Sequence, residues 1–364
     1  MTVEQILRAQ AAAANRGIDA LLISPGADLR YLTGYDALPL ERLTCLVIPV
    51  GAEPFLVVPE LEEPAARAGI ALAPDVELVV WKETADPFDV ICRRLPSGLA
   101  RIAVDDHMWA DRVLTFARLL ADVRLIAAGP VMTELRMRKT SREVDALRAA
   151  GAAIDSVHRQ MGLWLRAGRT EREVARDVAD AIASAGHTRA DFVIIGSGPN
   201  SASPHHEASD RVISAGEPIV VDISGTMPDG YRSDCTRTYS IGEPPADHAA
   251  YFAVLHAAQT AQVNAVRPGI TAGDLDAVGC DIISAAGYGP NFVHRTGHGI
   301  GLDVHEPPYI MAGSDLVIEP GMAFSIEPGI YLPGRHGARI EDIVICTTTG
   351  GLPVNAVTHD LQIL

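Results

Sequence analysis

Cysteine is scarce: five residues in 364, odd in number and never spaced as C-x-x-C (Cys45, Cys92, Cys235, Cys280 and Cys346). That usage excludes a disulfide framework and a zinc knuckle, and it fits a reducing, cytoplasmic compartment. Long apolar runs are also missing, because none approaches the ~18 residues a membrane helix needs. The N-terminus lacks the apolar segment of a secretory signal, and Thr2-Val3-Glu4-Gln5 reads instead as a helix capping box, with Val3, Ile6 and Leu7 on one face and Gly17 as the stop. Positive charge is in deficit: 30 basic against 46 acidic residues leave a formal charge of −16. Such a surface repels phosphate backbones and anionic lipid, so neither nucleic acid nor membrane is an expected partner. Part of the acidic excess can be matched by bound cations wherever carboxylates cluster.

The length, with 48% hydrophobic and 21% charged residues, exceeds what one compact core usually organises, so two domains are expected. From residue 18 to about 126, short apolar runs such as Asp19 to Ile23 and Phe55 to Val58 alternate with helix-like stretches near 61–69 and 108–121. The alternation predicts an α/β domain over 1–128, structural or substrate-shaping because it has few clustered metal-ligand residues. Ala127-Ala128-Gly129-Pro130 marks the boundary, and Thr140 with Glu143 forms a capping box soon after it. The second domain, 129–364, carries an internal repeat. Arg166-Ala167-Gly168-Arg169-Thr170 and Arg267-Pro268-Gly269-Ile270-Thr271 stand 101 residues apart, and each opens a helix that ends at Gly186 or Gly287. Each copy follows a long helix (about 141–165 and 246–266) and precedes a hairpin pattern, which predicts two half-domains related by a pseudo-twofold axis.

The hairpins carry the chemistry. Asp222 and Asp234 are equidistant from Pro228, and Glu327 and Glu341 from Gly334, so simple hairpins would set each pair opposite one another. Opposed like charges in Val/Ile-rich strands are unstable without a partner, and a shared cation removes the conflict. Four carboxylates suit two divalent ions about 3.5–4 Å apart. His298, in Arg295-Thr296-Gly297-His298-Gly299-Ile300-Gly301, is the natural fifth ligand, its glycines letting the backbone come close to whatever the imidazole contacts. Oxygen-rich ligation favours Mn²⁺, with cobalt, zinc or iron able to take the same ligands. Arg339 shares a strand face with Glu341, where it can orient that carboxylate or form an ordinary surface salt bridge. Gly196 to Asn200 reads as a turn rather than a phosphate loop, since Pro199 and Pro204 deny it the helix.

Five segments resemble the pita-bread metallopeptidases, the superfamily of methionine aminopeptidase, aminopeptidase P, prolidase and creatinase: VDISG at 221–225, YRSDCTRT at 231–238, HRTGHGIGLDVHEPP at 294–308, EPGMAFSIEPGIYLPG at 319–334 and GARIEDIV at 337–344. The N-terminal domain resembles the creatinase-type extra domain, which points to the proline-directed branch. The resemblance implies Asp222 as a terminal ligand of one metal, Asp234 and Glu341 as bridging carboxylates, and His298 and Glu327 as ligands of the other. It also implies Glu327 as proton shuttle, with His305 and His205 contacting the substrate. His206 reads as a surface or supporting residue.

The implied activity is hydrolysis of the Xaa-Pro bond in short peptides, as a prolidase-like dipeptidase or alternatively an Xaa-Pro aminopeptidase, by a homodimer. Methionine aminopeptidase and a nonpeptide amidohydrolase share the ligand set. A catalytically silent binding module would show eroded ligands and acidic tails, which this sequence does not. A dipeptidase needs a cation for the substrate's free carboxylate. Where prolidase-like relatives often place an Arg, after the HEP segment, this chain has Pro307-Pro308-Tyr309, and it has no Arg or Lys from 296 to 334. Arg335, at the tip of the second hairpin, is the nearest candidate in sequence.

Overall fold

The computed structural model describes the backbone of residues 2–364 and the side chains from Glu4 onward. A helix spans Thr2–Asn15, but the capping side chain expected at Thr2 and the apolar Val3 lie outside the described residues. The chain divides into two compact units, one reaching Arg136 and the other running from Met137 to Leu364. The first unit therefore keeps all but the last residue of the helix Gly129–Met137, which the boundary reading gave to the second domain. Contacts within the unit explain this: Tyr31 donates to the Leu135 carbonyl at 3.1 Å, and Arg136 pairs with Asp28 at 2.6 Å.

The first unit is a six-stranded mixed sheet with helices. Its strands are β1 (Ala20–Ile23), β2 (Cys45–Pro49), β3 (Phe55–Pro59), β4 (Glu77–Trp81), β5 (Arg101–Val104) and β6 (Arg124–Ala127), in the order β4-β3-β2-β1-β5-β6. β1, β2 and β3 are buried along their whole length, which is why they read as unbroken apolar runs rather than alternating ones.

The second unit contains β7 (Arg189–Ser197), β8 (Pro218–Thr226), β9 (Arg232–Ser240), β10 (Gly297–Gly299), β11 (Glu306–Ile310) and β12 (Ala323–Ile326). It continues through β13 (Gly329–Leu332), β14 (His336–Arg339), β15 (Asp342–Cys346), β16 (Gly351–Pro353) and β17 (Gln362–Ile363). One sheet has the order β17-β9-β8-β7, another β11-β10-β12-β15-β16, and β13 pairs with β14 alone. The repeat is written in backbone hydrogen bonds. Gly168 N donates to Ile213 O and Gly269 N to Ile318 O, each at 2.9 Å. Arg172 N donates to Ser209 O and Gly273 N to Ser314 O, also at 2.9 Å. Gly168 and Gly269 have φ of 89° and 90°, a left-handed turn that explains glycine at both positions. The helices Ser141–His158 and Glu171–Ser184 open with capping boxes, at Thr140/Glu143 and Thr170/Glu173. The first ends earlier than its apolar pattern suggested, giving way to a 3-10 turn at Met161–Leu163.

The two hairpins differ from the simple reading. In β8/β9, Asp222 pairs with Thr236 and Ser224 with Asp234, so the two aspartates are diagonal neighbours on one face rather than opposite. In the second hairpin, β12/β15 and β13/β14 share the register that would put Glu327 opposite Glu341, but the ladder breaks at that point. Glu341 N donates to Thr236 O at 3.1 Å and Glu327 N to Thr296 O at 2.8 Å, so the glutamate backbone is tied to the neighbouring strands instead. Gly198–Ala202 is a 3-10 turn, as the prolines require.

Candidate metal centre

Two of the acidic side chains sit on strands, and the other two sit in the break between strands. Asp222 and Asp234 project from the same face of β8/β9, and both are buried. Glu341 is buried at the ladder break beside them. His298 is the middle residue of β10, pressed between β11 and β12. A Cβ on Gly297 would lie 1.9 Å from Ser325 O, and one on Gly299 would lie 2.3 Å from Pro307 O. Only glycine permits that approach, so the glycines flanking the histidine are a packing requirement of the site.

Asp234, His298 and Glu341 offer ligand atoms all within 4.8 Å of one another. His298 Nδ1 lies 3.0 Å from Gly299 O; a carbonyl only accepts, so Nδ1 carries the proton. Nε2 is thereby left without a proton, an acceptor 3.2 Å from Glu327 Oε1 and 3.8 Å from Asp234 Oδ2, an arrangement of acceptors that a cation between them would satisfy. Supporting contacts hold the acids: Arg339 to Asp222 Oδ2 at 2.6 Å, Thr236 Oγ1 to Glu341 Oε2 at 2.7 Å, and Ser325 Oγ to Glu327 Oε1 at 3.0 Å.

Burial, followed by the charges of neighbouring acids, pushes Asp234 and Glu341 well above the usual carboxylate range. Asp222 is also raised by burial, against the pull of Arg339. Burial would raise Glu327 too, but the neighbouring His298, His294 and Arg339 outweigh it and lower its pKa instead. Asp222 Oδ1 and Asp234 Oδ1 are buried with no hydrogen-bond partner. Orphaned acceptors, crowded acids and a free imidazole nitrogen fit divalent cations.

The acids lie in the wall of a cavity of about 800 Å³ that His205, His294, Arg295 and His305 also line, with Phe192, Val193, Ile194 and Met311 among its apolar side chains. His305 packs edge-on against His298, with ring centroids 4.1 Å apart, and burial foremost pushes it down to about 4. His205 is exposed on its segment, while His206 turns to Glu171 at 2.8 Å in the supporting role expected of it.

Two second-rank residues behave differently from the sequence reading. Arg339 serves Asp222 rather than Glu341, because the β8/β9 register places Thr236 opposite Asp222, and Arg339 Nε donates to that threonine at 3.1 Å. Arg335 is 59% exposed, pairs with Asp247 and is absent from the cavity wall. Six residues of strand, roughly 20 Å, separate it from Glu341, so closeness in sequence does not bring it to the site. Tyr309 pairs with His298 across β10/β11 and carries the Arg295 guanidinium 4.3 Å above its ring.

Sequence reasoning missed Thr236, which spaces Arg339 from Glu341, and Tyr331, which bridges Arg339 (2.8 Å) and His294 (2.9 Å). Thr236 was findable, since it follows Asp234 by two positions on the same strand face. Glu171 was not. It is fully buried and accepts hydrogen bonds from Ser197, Asn200, His206 and Ser209, tying down both ends of the segment that carries His205.

Residues 145–348 match metallopeptidase family M24, and residues 5–138 match the creatinase/prolidase N-terminal domain. The chain is 49% identical over 356 residues to the probable dipeptidase PepE of Mycobacterium tuberculosis (strain ATCC 25618 / H37Rv), covering 98% of this chain and 95% of that relative. It is 37% identical over 363 residues to an Xaa-Pro dipeptidase of Lactobacillus delbrueckii subsp. lactis, covering 96% and 95%. The crystal structure of dipeptidase PepE from Mycobacterium ulcerans matches it with a TM-score of 0.94 at 48% identity, covering 100% of this chain and 97% of that one. With both domains matched and the acids and histidine gathered in one buried centre, the chain belongs to metallopeptidase family M24, as a creatinase/prolidase N-terminal domain joined to a pita-bread catalytic domain.

Proposed function

We propose that this chain is a prolidase-like Xaa-Pro dipeptidase working with two divalent cations, Mn²⁺ foremost, held by Asp222, Asp234, His298, Glu327 and Glu341. The observation that carries the reading is a buried set of acids with orphaned oxygens in the wall of a cavity that is otherwise largely apolar. Bound there, the cations would lower the pKa of a water and polarise the scissile carbonyl. The chain's own groups do the rest. Glu327, oriented by Ser325, takes the proton from the attacking water and delivers it to the departing proline nitrogen. His205 and His305, which line the same cavity, would hydrogen-bond the substrate carbonyl as it becomes tetrahedral. Phe192, Val193, Ile194 and Met311 offer apolar surface to the proline ring and the side chain before it.

The relatives named as a dipeptidase and an Xaa-Pro dipeptidase support the same assignment. A cavity of about 800 Å³ exceeds what a dipeptide fills, which favours Xaa-Pro aminopeptidase activity on longer peptides as the second reading. We further read the protein as a cytoplasmic homodimer. The cytoplasmic part is supported by cysteines that are all free, and no helix of the described residues is long and apolar enough to cross a membrane. The test is a screen of Mn²⁺-loaded enzyme against Xaa-Pro dipeptides, Xaa-Pro tripeptides, Met-initiated peptides and creatine, with light scattering for the dimer. Cleavage of Xaa-Pro dipeptides above all others is expected. Preference for the tripeptides selects the second reading, and cleavage of Met-initiated peptides or creatine alone removes both.

A further inference from the structure

The geometry points to Arg295 as the residue that recognises the free carboxylate of the dipeptide, with Tyr309 holding its guanidinium in place. This rests on the dipeptidase reading and supplies the cation that reading requires.

Two arginines line the cavity, Arg295 and Arg339. Arg339 is committed: its nitrogens donate to Thr236, Tyr331 and Asp222, and it is buried. A substrate carboxylate there would have to displace Asp222. Arg295 is different. Among the described residues no Asp or Glu forms an ion pair with it, and its guanidinium packs face-on over Tyr309, 4.3 Å from the ring centroid. Stacking engages the face of the guanidinium and leaves its edge N–H groups free, and that edge is the fork that matches a carboxylate bidentately.

The position suits a dipeptide. Arg295 stands three residues before His298, and Tyr309 is the residue paired with His298 across β10/β11. The aromatic support and the histidine thus share one short stretch of ladder, and the arginine lies in the segment that leads into it. The carboxylate of an Xaa-Pro dipeptide lies only one residue, roughly 3.8 Å of chain, beyond the scissile carbonyl. Its anchor must therefore stand beside the metal ligands, as Arg295 does and Arg335 does not. In a longer peptide a neutral amide replaces the carboxylate, and the charge-assisted bond is lost. Tyr309 stands where the sequence reading looked for an arginine; in this chain the arginine comes from the neighbouring segment, and the tyrosine becomes its platform.

The test compares kcat/KM for an Xaa-Pro dipeptide with that for its C-terminal amide, in Mn²⁺-loaded wild type, Arg295→Met, Arg295→Lys and Tyr309→Leu. Wild type should prefer the free acid, and Arg295→Met should shrink that preference ~10–100-fold, the loss of one charged hydrogen bond. Arg295→Lys, which keeps charge without the fork, should fall between, and it carries the test if melting curves show that the Met variant misfolds. Tyr309→Leu should raise KM for the acid more than it alters kcat. Competitive inhibition by L-proline against L-prolinamide reads binding alone and should lose its discrimination in the same variants. An active wild type whose Arg295 variants lose equally on acid and amide, or on neither, overturns the assignment. A wild type that cleaves no Xaa-Pro dipeptide overturns the dipeptidase reading, and this one with it.

Discussion

Replacing Glu171 by Gln tests how the segment carrying His205 is held. Glu171 is fully buried, and burial alone would raise its pKa; hydrogen bonds from Ser209, Ser197 and His206 outweigh that and take it from 4.5 down to about 2. The depression is equivalent to roughly 3 kcal/mol of folded-state stability. Because the folded pKa is the lower one, this contribution is full above pH 4.5 and is lost as pH falls through about 2. The substituted side chain would also aim an amide donor at donors, Ser197 N at 2.8 Å on one side or Ser209 N at 3.1 Å on the other. Urea unfolding of wild type and Glu171→Gln should therefore differ by about 3 kcal/mol at pH 7, equivalent to roughly 6–12 °C in Tm. The gap should narrow by roughly 1 kcal/mol by pH 3.5. kcat/KM should fall as well, because the His205 segment loses its anchor. A gap that stays constant from pH 7 to 3.5, or a variant as stable as wild type at pH 7, refutes the reasoning.

Three further outcomes are expected. Stripping metal with a chelator should abolish turnover and lower Tm, and added Mn²⁺ at a hundred times its Kd should restore about 2.7 kcal/mol; no bound metal by elemental analysis, together with indifference to chelator, counts against the centre. Glu327→Gln in metal-replete enzyme should cut kcat by ~10²–10⁴, and near-normal turnover would remove its proton-shuttle role. Gly297→Ala should destabilise the fold by about 3 kcal/mol, since its Cβ meets Ser325 O at 1.9 Å; a wild-type urea midpoint would show that β10 does not pack as described.

The buried acidic cluster was legible because its members are anomalies: acids set among apolar core segments have no reason to be there without a partner such as a cation. The repeat was legible because Gly168 and Gly269 need left-handed backbone and Thr170 and Thr271 both cap helices, local demands that each copy must satisfy separately. The first hairpin shows the limit of such reasoning. Its turn closes through Met227 N to Tyr231 O and Gly230 N to Met227 O, centring the loop on Asp229 rather than Pro228. Moving the centre by one residue moves the pairing by two, which preserves the face but separates the aspartates along the strand. The carboxylate pattern survived that error because face, not opposition, brings them together, and the error in turn concealed Thr236 and the true partner of Arg339. Residues that position others leave a fainter mark. Glu171 opens an amphipathic helix like any other acid, and only the fold brings four donor residues from 197–209 around it. Arg335 erred in the opposite direction: nearness along the hairpin stood in for nearness in space, whereas Arg295 reaches the cavity wall through a strand pairing that links residues 297–299 to 306–310. A charge in an apolar segment marks a candidate ligand from one line of sequence; the partner of a charge in a loop is set by the register of strands elsewhere, so it becomes readable only once that register is known.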